Sequence, residues 1–245
     1  MSEVIKNIVK DYADNAGLPL SESQLDALVT YAGMLVKTNE VMNLTNITDD
    51  EGIAVRHFVD SLTLVPFILE EQKKAGREDI SVIDVGTGAG FPGIVLKIAV
   101  PKIRLTLLDS LQKRLNFLDD VSSALSLADV KTVHGRAEDA GHDAALREKY
   151  DVSCARAVAN LPVLCEYCLP FVKTGGAFLA MKGIVDEEEK ASGRALQVLG
   201  GKKEKVDRFL LPGTDMNRSI VVVRNSKPTP NAYPRQAGKP SKKPL

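Results

Sequence analysis

The chain has 245 residues with 32 basic and 32 acidic side chains and is 44% hydrophobic, long enough to bury a sizeable core, with no global field to attract nucleic acid. Three unevenly placed cysteines, Cys154, Cys165 and Cys168, exclude a disulfide framework, and Cys165-x-x-Cys168 lacks the second pair a four-cysteine zinc site needs. No apolar run approaches the roughly 18 residues of a membrane span, and the N-terminus lacks a signal-like apolar stretch, so a cytoplasmic protein with no membrane partner and no metal is expected.

Residues 1–75 read as an N-terminal helical extension. Ser21 with Gln24, and Thr48 with Glu51, have capping-box spacing, in which a hydroxyl accepts from an early amide and the later side chain reaches back. Leu25, Leu28, Val29, Ala32, Leu35 and Val36 then make one apolar helix face, and Ile53, Val55, Phe58, Val59 and Leu62 continue a helical run toward Pro66. Across residues 76–225 the pattern alternates. Ser81 to Val85, Arg104 to Leu108, Val130 to Val133, Val152 to Ala155 and Ala177 to Met181 predict strands, while Gly93 to Val100, Lys113 to Leu125 and Leu161 to Val172 predict helices. Val206 to Leu211 and Ser219 to Arg224 predict a closing hairpin. The sum is an α/β, doubly wound, mostly parallel seven-stranded sheet with one antiparallel member, the class I methyltransferase (Rossmann-like) arrangement. Residues 226–245 form a basic, Pro/Gly-rich tail without an acidic residue, expected to be unable to pack a core but able to lie along phosphates.

The first strand runs into Asp84-Val-Gly-Thr-Gly-Ala-Gly-Phe-Pro-Gly93. Read from Gly88 through Gly90 to Gly93, it matches a dinucleotide fingerprint and predicts an NAD-dependent oxidoreductase; read from Asp84, it matches an acidic glycine loop for S-adenosylmethionine. Charge separates the two. A carboxylate at Asp84 repels a pyrophosphate but suits a ligand carrying a sulfonium and an ammonium. Gly86, Gly88 and Gly90 permit tight backbone beside such a ligand, and Pro92-Gly93 suits a helix start. Asp109, ending the second strand, is placed to accept from ribose hydroxyls with either cofactor, and Ala137-Glu138 after the third strand are placed to meet adenine.

The fourth strand ends Ser153-Cys-Ala-Arg-Ala-Val-Ala-Asn-Leu-Pro162, with neither the Pro-Pro loop of amine methylation nor the Pro-Cys dipeptide of pyrimidine methylation. Cys154 reads as structural. A target with an exposed lone pair and no proton to lose, such as guanine N7, is compatible with this absence, since positioning and electrostatics can then suffice, and no catalytic residue is assigned.

The chain resembles the bacterial RsmG family, also called glucose-inhibited division protein B. The resemblance is carried by Asn43-Leu-Thr-Asn-Ile47, Arg56-His-Phe-Val-Asp-Ser-Leu62, the glycine loop, Leu107 to Leu118, Gly135-Arg-Ala-Glu-Asp139, Ala155 to Ala159, Met181-Lys-Gly183 and the ending from Tyr233 to Leu245. It implies methyl transfer from S-adenosylmethionine to N7 of one guanosine in the 530 loop of 16S rRNA, with 16S rRNA or the small ribosomal subunit as partner; a monomer is expected. It also implies cofactor contacts at Gly86, Phe91, Ala137, Glu138 and Arg156, of which Phe91 and Arg156 come from the resemblance alone. One departure is visible: the family often carries a tryptophan shortly before its Asn-Leu-Thr segment, and this chain has none. Lys113, Arg114, Lys182, Arg235, Lys239, Lys242 and Lys243 are the candidate contacts to RNA, and His57 with Asp60 reads as packing or capping. An RNA-binding assembly factor that retains cofactor without turnover is the alternative outside enzymes.

Overall fold

The computed structural model describes residues 2–245. The extension comprises α1 (Ser2–Asn15), α2 (Glu22–Asn39), α3 (Asp50–Gly52), a π-helical stretch (Ile53–Val59), α4 (Asp60–Leu62) and α5 (Val65–Ala75). Ser21 caps α2 as its spacing predicts, accepting from the Gln24 amide while the Gln24 side chain accepts from the Ser21 amide. The expected Thr48–Glu51 box does not form. Asp49 is the cap instead, accepting from the Gly52 amide at 2.7 Å, because a charged acceptor one residue later serves the helix N-terminus better than a hydroxyl. Counting only unbroken apolar runs also understates the next segment: Asp50–Ala75 is long and apolar enough to cross a membrane, yet 78% of its most apolar window is buried inside the protein. Its apolarity belongs to the core.

The sheet follows, with β1 (Ser81–Val85), α6 (Gly93–Ala99), β2 (Arg104–Asp109), α7 (Gln112–Ala124), β3 (Val130–His134), α8 (Ala137–Ala140), β4 (Tyr150–Arg156), α9 (Leu161–Cys168) and β5 (Val172–Lys182). Two short helices, α10 (Asp186–Ala191) and α11 (Gly193–Leu199), lead to the hairpin β6 (Gly201–Leu210) and β7 (Asn217–Asn225), and α12 (Lys239–Lys242) closes the chain. The sequence pattern leaves α10 unassigned because it buries no residue and so has no apolar period to read. Strand order is β3-β2-β1-β4-β5-β7-β6, with β7 antiparallel to both neighbours. The seven-stranded doubly wound arrangement read from the sequence is the one observed. β6 starts five residues earlier than Val206 because its first half is the polar edge sequence Gly-Lys-Lys-Glu-Lys, which hides a strand from a hydrophobic pattern.

Strand parity divides the core in two. Val82 joins the layer made by the extension with α6 and α7, while Ile83 and Val85 join the layer made by α9 and α11. The extension is therefore one wall of the core. Gln24 Nε2 also caps α6, donating to the carbonyls of Ile98 at 2.7 Å and Ala99 at 3.2 Å.

The C-terminal segment corrects the sequence reading. Residues 226–245 pack along the domain instead of trailing from it: Arg147 donates to the carbonyls of Gly141 at 2.7 Å, Tyr233 at 2.9 Å and Thr229 at 2.6 Å. Arg235 forks onto the buried carboxylate of Glu166, with Nη2 to Oε2 at 2.6 Å and Nε to Oε1 at 2.9 Å. Composition concealed this because polar pairing supplies much of the anchoring, beside a few scattered apolar groups, Tyr233, Pro234, Pro240 and Leu245, that show no period. Replacing Arg235 with alanine leaves Glu166 buried without its cation, only the backbone amide of residue 235 still donating to it, and denaturant unfolding is expected to show a loss of roughly 3 kcal/mol.

Candidate functional site

A cavity of about 540 Å³ opens past the C-terminal ends of β1, β2 and β4, where ligands bind in open α/β sheets. Of the residues singled out from the sequence, Gly86, Gly88, Phe91, Asp109, Ala137, Glu138 and Arg156 line it. Asp84 does not. It shares the parity of Val82, so its side chain points under the glycine loop toward α6, with no solvent exposure. There its Oδ2 accepts from the Thr87 hydroxyl at 2.7 Å and the Gly93 amide at 2.9 Å, while Oδ1 has no partner. Gly90 is also out of the lining: at φ +101°, a Cβ there would lie 2.6 Å from the Tyr31 hydroxyl, which donates to the Ala89 carbonyl.

The loop's amides decide which cofactor fits. Gly86 and Thr87 donate to the Leu108 carbonyl, Gly90 and Phe91 to the Thr87 carbonyl, and Gly93 to Asp84. Gly88 donates to Asp109 Oδ2 at 2.9 Å. A pyrophosphate cradle needs these amides free and aimed at the ligand, and here they are engaged within the protein. The residues present suit a cofactor with ribose and adenine but no phosphate: Asp109 faces the cavity with 3% exposure, and Glu138 and Ala137 line the same cavity.

Arg156 forms the other end. Its Nη1 donates to the Arg56 carbonyl at 3.0 Å and to Asp60 Oδ2 at 3.1 Å, and its guanidinium lies 5.0 Å from the Phe91 ring centroid. Asp60 also accepts from Arg218 Nε at 2.8 Å, so one buried carboxylate ties the extension to β4 and β7. His57 stacks on Phe91 at 4.4 Å, and its Nδ1 meets Arg156 Nη2 at 3.3 Å. Burial and then the Arg156 charge push the His57 imidazole down to about 3, so it is neutral at physiological pH. Cys154 is no nucleophile. It is fully buried, and burial pushes its thiol up.

The expected RNA contacts separate. Arg235 is held by Glu166, and Lys182 is held by the Ala159 carbonyl and Glu188 Oε2, both at 2.8 Å. Both cations are thus paired within the protein. Arg114 lines the cavity with Nη1 3.5 Å from Asp109 Oδ2, on the cofactor side, and Lys113 is exposed at the start of α7. Lys239, Lys242 and Lys243 are exposed. They flank Ser241, which lines the cavity and pairs with the Tyr167 hydroxyl at 2.8 Å, while the Gly238 amide donates to Glu138 Oε1 at 2.9 Å. Sequence reasoning missed Thr45, Tyr167 and Ser241 as lining residues. Thr45 and Ser241 do lie in two of the segments that carry the family resemblance, but nothing local marks their side chains. Among the described residues, no group of three or more His, Cys, Asp or Glu side chains is placed to hold a metal ion.

The family model for rRNA small subunit methyltransferase G matches residues 24–219. The ribosomal RNA small subunit methyltransferase G of Acetivibrio thermocellus is 48% identical over 241 residues, covering 98% of this chain and 97% of its own. That of Alkaliphilus metalliredigens is 49% identical, with 98% of both chains covered. Among solved structures, the geranyl diphosphate C-methyltransferase of Streptomyces coelicolor superposes with a TM-score of 0.50 at 12% identity, over 66% of this chain and 78% of that one. At that identity the likeness is one of fold.

Asp84 gives the site a pH signature. Burial raises its carboxyl to about 6, above its ordinary value of 3.8. The folded chain thus holds a proton that the unfolded chain releases, so stability from this group is full below the ordinary value and falls as pH rises through about 6. Thermal unfolding from about pH 4 to pH 7 is expected to show a decline, up to roughly 3 kcal/mol, that Asp84→Asn lacks.

Proposed function

The chain belongs to the rRNA small subunit methyltransferase G family, and from that premise we propose that it transfers the methyl group of S-adenosylmethionine to N7 of one guanosine in the 530 loop of 16S rRNA. The observation that carries the cofactor assignment is the glycine loop whose amides are engaged internally while Asp109 faces the cavity. When bound, S-adenosylmethionine supplies an electrophilic methyl carbon on a sulfonium.

Asp109 would accept from the ribose hydroxyls, Ala137 and Glu138 would border adenine, and Arg156 would hold the carboxylate at the methionine end. Asp84 acts one layer below, holding Thr87 and Gly93 and hence the loop. No residue has to remove a proton, because N7 attacks through a lone pair and carries no hydrogen. The neutral, doubly engaged His57 is in keeping with that, being arranged to hold neighbours in place and not to shuttle protons. Catalysis then rests on positioning and on water exclusion. Lys239, Lys242 and Lys243 are the cations best placed for RNA phosphate, beside the cavity wall that Ser241 completes. Such a reaction places the protein in the cytoplasm with the ribosome.

Small-subunit particles or their RNA, taken from cells lacking this protein, are to be incubated with labelled S-adenosylmethionine and digested to nucleosides. Label in 7-methylguanosine at one site is the expected result, whereas cofactor and RNA binding without label would favour the non-catalytic assembly reading. Asp109→Ala is expected to weaken S-adenosylhomocysteine binding by calorimetry about 100-fold, from loss of charge-assisted hydrogen bonds to the ribose. The triple change of Lys239, Lys242 and Lys243 to alanine is expected to reduce the salt dependence of RNA affinity by a slope of about 2, with cofactor affinity unchanged.

A further inference from the structure

Thr45 stands at the rim of the cavity, half-buried, with Asn43 and Asn46 exposed on either side. Its backbone is fastened to the end of α2, since Asn39 Nδ2 donates to the Thr45 carbonyl at 3.0 Å and Asn39 Oδ1 accepts from the Thr45 amide at 2.9 Å. Its hydroxyl oxygen is engaged twice, by the Ile47 amide at 3.1 Å and by His57 Nε2 at 2.9 Å.

The direction of the second bond follows from the far side of the ring. An arginine can only donate, so His57 Nδ1 accepts from Arg156 Nη2. A neutral imidazole with a bare Nδ1 carries its proton on Nε2 and donates it to Thr45. Both lone pairs of the Thr45 hydroxyl are thereby occupied. Its own proton has no acceptor among the described residues, so toward the cavity this group can act only as a donor.

We infer that the Thr45 hydroxyl reads O6 of the target guanine and so selects guanine over adenine at the methylated position. The inference rests on the proposed guanine-N7 reaction. Guanine presents N7 and O6 as neighbouring acceptors on one edge, whereas adenine presents N7 beside an N6 amine, which is a donor. The N7 lone pair must stay free to attack carbon, so a donor serving this edge belongs at O6. A group with no lone pair left repels an amine in that place, and this rejects adenine as well as accepting guanine. His57 is a positioning residue in this scheme: Arg156 fixes its tautomer, and the tautomer fixes the Thr45 proton. Arg156 already supplies a cation for the cofactor's carboxylate, whereas Thr45 sits on the extension at the rim of the cavity.

The test pairs a protein change with a substrate change. Affinity for two RNAs is measured with the protein saturated in S-adenosylhomocysteine, one RNA carrying the target guanosine and the other 2-aminopurine there, which has hydrogen in place of O6. Wild type, Thr45→Val and Thr45→Ser are compared, together with kcat/KM on the guanosine RNA and the Kd for S-adenosylhomocysteine, which also reports the folded site. Thr45→Val is expected to lose about 10- to 100-fold in affinity and kcat/KM on the guanosine RNA, yet less than about threefold in affinity on the 2-aminopurine RNA. Thr45→Ser, which keeps the hydroxyl, is expected to stay within about threefold of wild type throughout. An equal loss on both RNAs overturns the inference, as does a cofactor Kd weakened about tenfold by Thr45→Val, which would assign the hydroxyl to the cofactor's carboxylate. If wild type forms no 7-methylguanosine, the proposed function falls and this inference with it; if it does and the coupling is absent, this inference alone falls.

Discussion

A carboxylate without solvent contact holds the central loop of this protein in shape. Asp84 draws together the Thr87 hydroxyl and the Gly93 amide, so the start of the loop and the first turn of α6 share one acceptor. Asp109, at the end of the next strand, holds the Gly88 amide between them. The cost is a buried carboxylate with one unpartnered oxygen. The consequence is chemical as well as structural. Amides that are engaged internally cannot cradle a phosphate, so the same bonds that set the loop's form also favour a cofactor without one.

The helical extension completes this arrangement and is not an appendage to it. Tyr31 of α2 donates to Ala89 in the loop, and its hydroxyl occupies the space that any side chain at Gly90 would need. Asp60, on α4, pairs with both Arg156 and Arg218, which belong to two different strands. His57 lies in the π-helical stretch just before it, stacked on Phe91 and joined to Arg156 and Thr45. Such stretches often occur at functional sites, and this one puts His57 and Asp60 onto the same arginine. One end of the cavity is therefore shared between the extension and the sheet.

The opposite end is closed by the last residues of the chain. Arg147 gathers carbonyls from Thr229 and Tyr233, Arg235 neutralises Glu166, and the Gly238 amide meets Glu138 in the cavity wall. The lysines on either side of Ser241 stay exposed. Cavity wall and exposed positive charge thus lie within a few residues of each other, Ser241 in the lining and Lys239, Lys242 and Lys243 outside it.

Much of this was legible in the residue order. Alternating apolar runs determined the doubly wound sheet, two β-rich runs close together determined its antiparallel hairpin, and the glycine loop with Asp109 and Ala137-Glu138 pointed to residues that line one cavity, because period, turn chemistry and strand ends are local properties. The capping box at Ser21 was equally readable, whereas the cap at Asp49 was displaced by one residue where two acceptors competed. Side-chain direction and pairing across long separations were not local, and only the tertiary structure decided them. It turned Asp84 under the loop by strand parity, paired Arg235 and Lys182 with carboxylates of the protein, packed the C-terminal segment by polar bonds that composition does not show, and brought Thr45, His57 and Arg156 into one chain of hydrogen bonds. Sequence determines which groups are available and on which element they stand; which partner consumes each donor and acceptor depends on what the fold brings within about 3 Å of it.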